Sequence, residues 1–179
     1  MNDLDALVTA VVDRLRTAFA APAGAVATVE EYPRLRTKLL APALLVDVAD
    51  VTAAPDPGTD ELALVVRLEA AVVLDRAPTA PGVSPERAAL ALAAAVAREV
   101  YAAGRFGVAA SPARELRIEP GDFKPDVATY AVWVVSWVQE VRLGSSVWDG
   151  EGVIPTQVWA GLSPEIGLPH EADYVEVTR

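Results

Sequence analysis

The sequence predicts an α+β protein with a mixed, mainly antiparallel β-sheet flanked by α-helices and with an extended C-terminal arm. Three observations predict it. Two segments carry apolar residues at helical spacing, several apolar runs between proline–glycine turns are typical of strands, and the last 36 residues change to a glycine- and proline-rich composition. The order helix, strands, helix, strands favours a sheet with helices on one or both faces.

The length and hydrophobicity of the chain bound its organisation. With 179 residues, of which 53% are hydrophobic, it can bury one core of ordinary size. We therefore expect one α+β domain over residues 1–143. Residues 144–179 hold six acidic residues against one arginine, which predicts a separate acidic arm.

Two helices are predicted. The first begins near Asn2 and ends before Pro22, because its apolar residues recur every three or four positions. The second has Ser84 as its N-cap, Pro85 at the first helical position and Gly104 at its end. Its alanine-rich apolar stripe is typical of a helix that packs closely on a sheet.

Five segments are predicted to be extended, and a turn at residues 54–58 separates the second from the third. They are Val26 to Tyr32, Leu39 to Val51, Glu61 to Asp75, Glu115 to Glu119 and Thr129 to Leu143. The third and the fifth would each extend roughly 50 Å, beyond an ordinary strand. Either bulges bend them, or their paired ends project and reach a neighbouring subunit.

Aromatic residues on the last long strand and in the arm are candidate subunit contacts. Trp133 and Trp137 lie four residues apart, on one face of the strand. That face is either a core face or an interface, since the opposite face is also apolar. Trp148, Trp159 and Tyr174 favour an interface, because the arm has no core of its own.

Composition excludes several classes of protein. There is no cysteine and only one histidine, so thiolate sites are excluded and histidine-based catalysis is not expected. A net charge of -10 argues against wrapping nucleic acid. No long uncharged apolar run and no basic leader are present, so we expect a soluble protein that neither crosses a membrane nor carries a classical export signal.

The candidate chemical groups are weak. His170 with Glu171 and Asp173 offers too few ligands for a metal, and Asp149 to Gly152 lacks the acid spacing of a calcium loop. The carboxylate pairs Glu30–Glu31 and Glu115–Glu119 have no partner at a readable spacing that would tune them for acid–base work. We therefore expect no enzyme, no cofactor and no bound metal.

One basic cluster could touch phosphate. Arg34, Arg36 and Lys38 recur at every second residue and would point to one side of an extended segment. The alternative is that these charges protect an exposed strand edge. Either DNA or a protein partner could contact them.

The pattern of elements resembles the tail terminator, or tail completion, proteins of tailed phages, in particular the group that includes minor-tail-protein-U-like and Mu-like terminators. The likeness covers Leu4 to Gly144 and lies in element order and texture. It is carried by five segments: LDALVTAVVDRLR, PALLVDVADV, ELALVVRLEAAVVLD, SPERAALALAAAVAREVY and RIEPGDFKPDVATYAVWVVSWVQEVRLG.

The resemblance implies a viral structural protein at the head-proximal end of the tail, present in the host cytoplasm during virus assembly. Such a protein forms a homohexameric ring on the tail tube protein, ends tube polymerisation and offers a head–tail joining surface to the head completion, or neck, protein. DNA would pass through the lumen of the ring without specific binding, which an acidic lining would favour. The alternatives are a neck or head–tail connector or another tail ring protein, and then a small ligand-binding module or enzyme.

Overall fold

The computed structural model describes residues 4–20, 26–32, 39–77, 82–121, 129–147 and 157–177. The chain divides into two compact units, Met1–Ser146 and Val147–Arg179. The first unit is an α+β fold with a five-stranded sheet, as predicted from the sequence, and the sheet is mixed and mainly antiparallel.

The described residues of the first unit form two helices and five strands, and the strand order across the sheet is β1-β2-β3-β5-β4. In chain order the elements are α1 (Leu4–Phe19), β1 (Thr28–Glu31), β2 (Ala43–Ala53), β3 (Leu62–Asp75), α2 (Pro85–Ala103), β4 (Arg114–Pro120) and β5 (Tyr130–Leu143). β1 runs parallel to β2, and the other neighbouring pairs are antiparallel.

Both helices pack on the same face of the sheet. α1 covers β1 and β2, and α2 covers β3, β5 and β4. α2 begins where the sequence predicts, because the Ser84 hydroxyl accepts a hydrogen bond from the Arg87 N–H at 3.3 Å. Its last turn is closed by the Gly104 N–H, which donates to the Val100 carbonyl at 3.1 Å, and Gly104 has a positive φ of 58°. The buried residues of α2 are Ala89, Ala93, Val96, Ala97 and Val100.

The centre of the sheet is the pairing of β3 with β5, which are both 14 residues long. Every residue from Leu62 to Asp75 has a partner in β5, with no shift of register. β2 differs, because its register against β3 shifts between Val48 and Asp50. Residues 49–53 of β2, which follow this bulge, are exposed. Of the long strands β2, β3 and β5, β2 is therefore the one that bends at a bulge and extends beyond the core.

A buried polar network ties β5 to the segment after α2. Gln139 is completely buried and accepts a hydrogen bond from the Trp137 indole N–H at 3.0 Å. Its side-chain amide donates to the carbonyls of Gly104 at 3.3 Å and Ser111 at 2.9 Å. Ser136 of the same strand is also buried, but it lies on the opposite face.

The other face of the sheet has an apolar cluster at one end. A small buried cluster there consists of Ala43, Leu45, Ala71, Val73 and Val132, and the partly buried Tyr32, Leu39, Tyr130 and Val134 pack against it. The hydroxyl of Tyr130 donates to the Leu39 carbonyl at 3.4 Å, so the segment that leads into β2 is fastened to β5.

The second unit is small. Its described residues form a two-stranded antiparallel sheet, β6 (Trp159–Ala160) with β7 (Val175–Glu176), and a 3-10 helix, Leu168–Asp173. None of residues 157–177 is buried. Within the described residues of the whole chain, no helix is long and apolar enough to span a membrane.

Replacing Gln139 by leucine should destabilise the first unit, because the Trp137 N–H and two carbonyls would lose their partner inside the core. Each buried polar group without a partner costs about 1–3 kcal/mol, so we expect a loss of about 2–4 kcal/mol in the free energy of unfolding, measured with denaturant. Gln157→Leu is the matched control, since Gln157 is exposed. A loss no larger than in the control would show that the network does not stabilise the fold.

The start of α2 should make stability depend on pH. Hydrogen bonds from its own backbone N–H and from the Ser84 hydroxyl, together with the charge of Arg76, hold the pKa of Glu86 below its ordinary value of 4.5. A lowered folded-state pKa means that ionised Glu86 stabilises the fold above pH 4.5 and that this contribution disappears as the pH falls through the lowered pKa.

Glu86→Gln should therefore lower Tm at neutral pH, and its difference from the unmodified protein should shrink toward zero in acid. Ser84→Ala, measured over the same pH range, also removes the N-cap. It should therefore remain less stable than the unmodified protein in acid, by about 1 kcal/mol in the free energy of unfolding. A Glu86→Gln effect of equal size at both ends of the pH range would contradict this origin.

Candidate interaction surfaces

Trp137 and Trp133 occupy different environments, although they share a face of β5. The Trp137 side chain has 0% exposure, and its ring centroid lies 6.2 Å from that of Phe106. An indole without exposed surface cannot contact a partner, so Trp137 matches the core-face alternative and not the interface one. Trp133 is only partly buried at the edge of the same core, beside Pro120 of β4, and its role at an interface stays a prediction.

Away from its covered end, the sheet face opposite the helices is mainly charged. The register places alternate residues of four strands on it. They include Asp47, Asp50, Arg67, Glu69, Arg114, Arg117, Glu140 and Arg142. Two ion pairs at 3.9 Å, Arg114–Glu140 and Arg142–Glu61, join neighbouring strands. Such mixed charges are typical of a solvated face, and pairs of this kind contribute little stability.

The carboxylates considered for acid–base chemistry lie on the two outer strands of the sheet. Glu115 and Glu119 are exposed on β4, and a register shift between Arg114 and Arg117 gives Glu115 a positive φ of 53°. Glu30 and Glu31 are on β1, where strand alternation turns them to opposite faces. These positions suit a charged sheet edge that resists non-specific pairing.

The described part of the arm exposes far more apolar surface than its size predicts. Trp159 is 52% exposed, Leu162 87% and Leu168 84%. Four further apolar side chains are exposed: Val158, Ile166, Val175 and Val177. Single exposed apolar residues are normal, but seven within 21 residues are typical of a surface that binds protein.

Tyr174 has an internal role in this unit. Its hydroxyl accepts a hydrogen bond from the Gly167 N–H at 2.6 Å. Its ring lies against Gly161, where an added Cβ would be 2.6 Å from the ring. Tyr174 therefore holds the two sides of the arm together, and Trp159, on the neighbouring strand, is the more exposed of the two predicted contacts.

The remaining predicted groups are placed as follows. Arg34, Arg36, Lys38, Trp148 and the segment Asp149 to Gly152 lie outside the described residues. His170 lies 3.6 Å from Asp173, an i,i+3 contact on the 3-10 helix. Over the described residues, no three potential metal ligands come together.

The chemistry of the arm suits binding to another protein. The arm combines the seven exposed apolar side chains with four carboxylates and no lysine or arginine over residues 157–177. Sequence reasoning found Trp159 but missed Leu162, Leu168 and Val175. The available signal was that aliphatic residues continued through a segment too rich in glycine and proline to bury them.

No family model matches this chain, and no curated protein matches it. The likeness to tail terminators therefore rests on the order and texture of the elements.

Removing the Tyr174 hydroxyl should loosen the arm while the first unit stays intact. In Tyr174→Phe the Gly167 N–H loses its acceptor, so its hydrogen exchange should become faster, while amides in the centre of β3 exchange as before. The exposed Tyr101, changed to Phe, is the matched control. Unchanged exchange at Gly167 in Tyr174→Phe would contradict the structural role of this hydroxyl.

Proposed function

We propose that this protein is a structural virion protein of a tailed phage. It caps the tail tube as a ring, ends tube polymerisation and provides the head–tail joining surface. The observation that carries the proposal is made on residues 157–177 of the arm, which expose seven apolar side chains and include no buried residue. Covering this surface with protein removes it from water, and assembly is the simplest way to cover it.

The first unit supports an assembly role as well. Its core is closed by two helices on one face, while β2 extends beyond the core with residues 49–53 exposed. The edges formed by this end of β2 and by β4 stand on opposite sides of the sheet. A subunit with two different exposed edges can make head-to-tail contacts, and these generate rings when the rotation closes.

The charge of the chain supports passage of DNA without binding. Its net charge of -10 gives an average repulsion toward phosphate, so a ring of such subunits would let DNA slide through its lumen. The partners that we propose are further copies of the chain, the tail tube protein and the head completion protein. We infer a structural role with no catalytic step.

Deleting the gene in the phage that encodes it should let the tail tube polymerise beyond its normal length. Negative-stain electron microscopy should then show tails of uncontrolled length that carry no heads, and the wild-type gene supplied in trans should restore normal particles. Normal-length tails detached from heads would overturn the terminator role and assign the protein to a neck connector. Intact infectious virions would overturn a structural role altogether.

A further inference from the structure

The outward face of α2 is a second surface that the fold leaves uncovered. Opposite the alanines and valines that pack on the sheet, the helix has a continuous exposed stripe about 23 Å long. Its members recur at intervals of three and four residues: Arg87, Leu90, Ala91, Ala94, Arg98, Tyr101 and Ala102. Tyr101 is 79% exposed and Leu90 39%.

This stripe is basic as well as apolar. No carboxylate of the described residues lies within 4.0 Å of the guanidinium groups of Arg87 and Arg98. The acids of α2 lie beside the stripe and pair elsewhere: Glu99 accepts from Arg14 at 2.6 Å, and Glu86 lies 3.9 Å from Arg76. Within the part of the chain that the structure describes, no ion pair therefore competes with binding of these two arginines to carboxylates of a partner.

The arm has the complementary character. Its described residues carry Glu165, Glu171, Asp173 and Glu176 with no lysine or arginine, beside the seven exposed apolar side chains. Trp159 and Glu176 are cross-strand partners and share one face of the two-stranded sheet. The arm thus presents an aromatic ring beside a carboxylate, and α2 presents Arg98 three residues from Tyr101.

We propose that the outer stripe of α2 docks the arm, residues 157–177, of a second copy of this chain. Among the described residues, each of the two surfaces carries large exposed side chains. Opposite charges on the two surfaces favour this pairing, and the three small alanines of the stripe leave room for Trp159 or Leu168 to approach the helix.

The contact is head-to-tail, since two different surfaces meet, and repetition of it builds a ring or an open chain of copies. It rests on the proposed function only in that both require several copies in one assembly. The contact itself does not depend on a tail tube or a phage head.

Cross-linking tests the proposal, because the chain contains no cysteine of its own. Ala94→Cys is made in isotopically labelled protein and Leu168→Cys in unlabelled protein, and the mixture is treated with a flexible bis-maleimide. Mass spectrometry should find the labelled–unlabelled product as the main one. The matched control replaces Ala94→Cys by Thr9→Cys, an exposed position on α1. Equal yields from the two mixtures would overturn the proposal.

Charge reversal gives an independent measure. Arg87→Glu with Arg98→Glu should lower the yield of the mixed product about tenfold, the ratio that corresponds to about 1.4 kcal/mol. Glu171→Arg with Glu176→Arg in the arm should restore it. Arg142→Glu, an exposed position on the central strand β5, should leave the yield unchanged. A yield that is insensitive to both reversals would show that these charges do not form the contact.

The same variants separate the inference from the proposed function. If deletion of the gene leaves virions intact while the mixed product forms, the phage role fails and the contact stands. If deletion gives headless tails of uncontrolled length while no mixed product forms, the role stands and this contact is wrong.

Discussion

The fold depends on one uninterrupted pairing, that of β3 with β5. Fourteen residues of each strand are in register without a bulge, so alternate side chains of both strands face the helices along the whole length. The segment after α2 is then fixed to β5 at Gln139 and Glu140. Gln139 donates to two carbonyls of this segment, and the Glu140 N–H donates to the Ser111 hydroxyl at 2.8 Å. A slip of one residue would turn Gln139 and Trp137 out of the core and release α2.

Because both helices pack on one face of the sheet, no helix of the described residues covers the opposite face. Among the described residues, Tyr32 and Leu39 pack on one end of that face. Beyond them it carries charges of both signs, between which Ala63, Ser136 and Val138 are buried. A charged face resists burial against an apolar partner, because desolvated charges cost more than their pairing returns. The apolar surface available for assembly is therefore located elsewhere, on the arm and on the outer side of α2.

The ends of α2 could be predicted from neighbouring residues in the sequence. The burial of Gln139 and the exposed stripe of α2 could not, because they depend on packing between distant segments. Ser84, Pro85 and Gly104 place both ends of α2 through backbone chemistry that acts within a few residues. The buried position of Gln139 is not readable from local sequence, since its hydrogen-bond partners Gly104 and Ser111 lie about thirty residues away. α2 was interpreted as a packing helix from its alanines, and this is correct for its inner side only. The exposed stripe of α2 can be identified only after the structure shows which side of the helix is buried against the sheet.

The arm shows how a segment can hold a shape without a core. Its described residues bury no side chain, so local contacts organise it: the pairing of β6 with β7, the hydrogen bond from Gly167 to Tyr174, and the fit of the Tyr174 ring over Gly161. Because this shape exists before binding, less conformational entropy is lost when the arm docks than for a disordered tail. Its four carboxylates in residues 157–177 would repel those of a second arm, which disfavours contact between two arms. A partner surface that is basic and partly apolar would cover the exposed apolar side chains of the arm and attract its carboxylates.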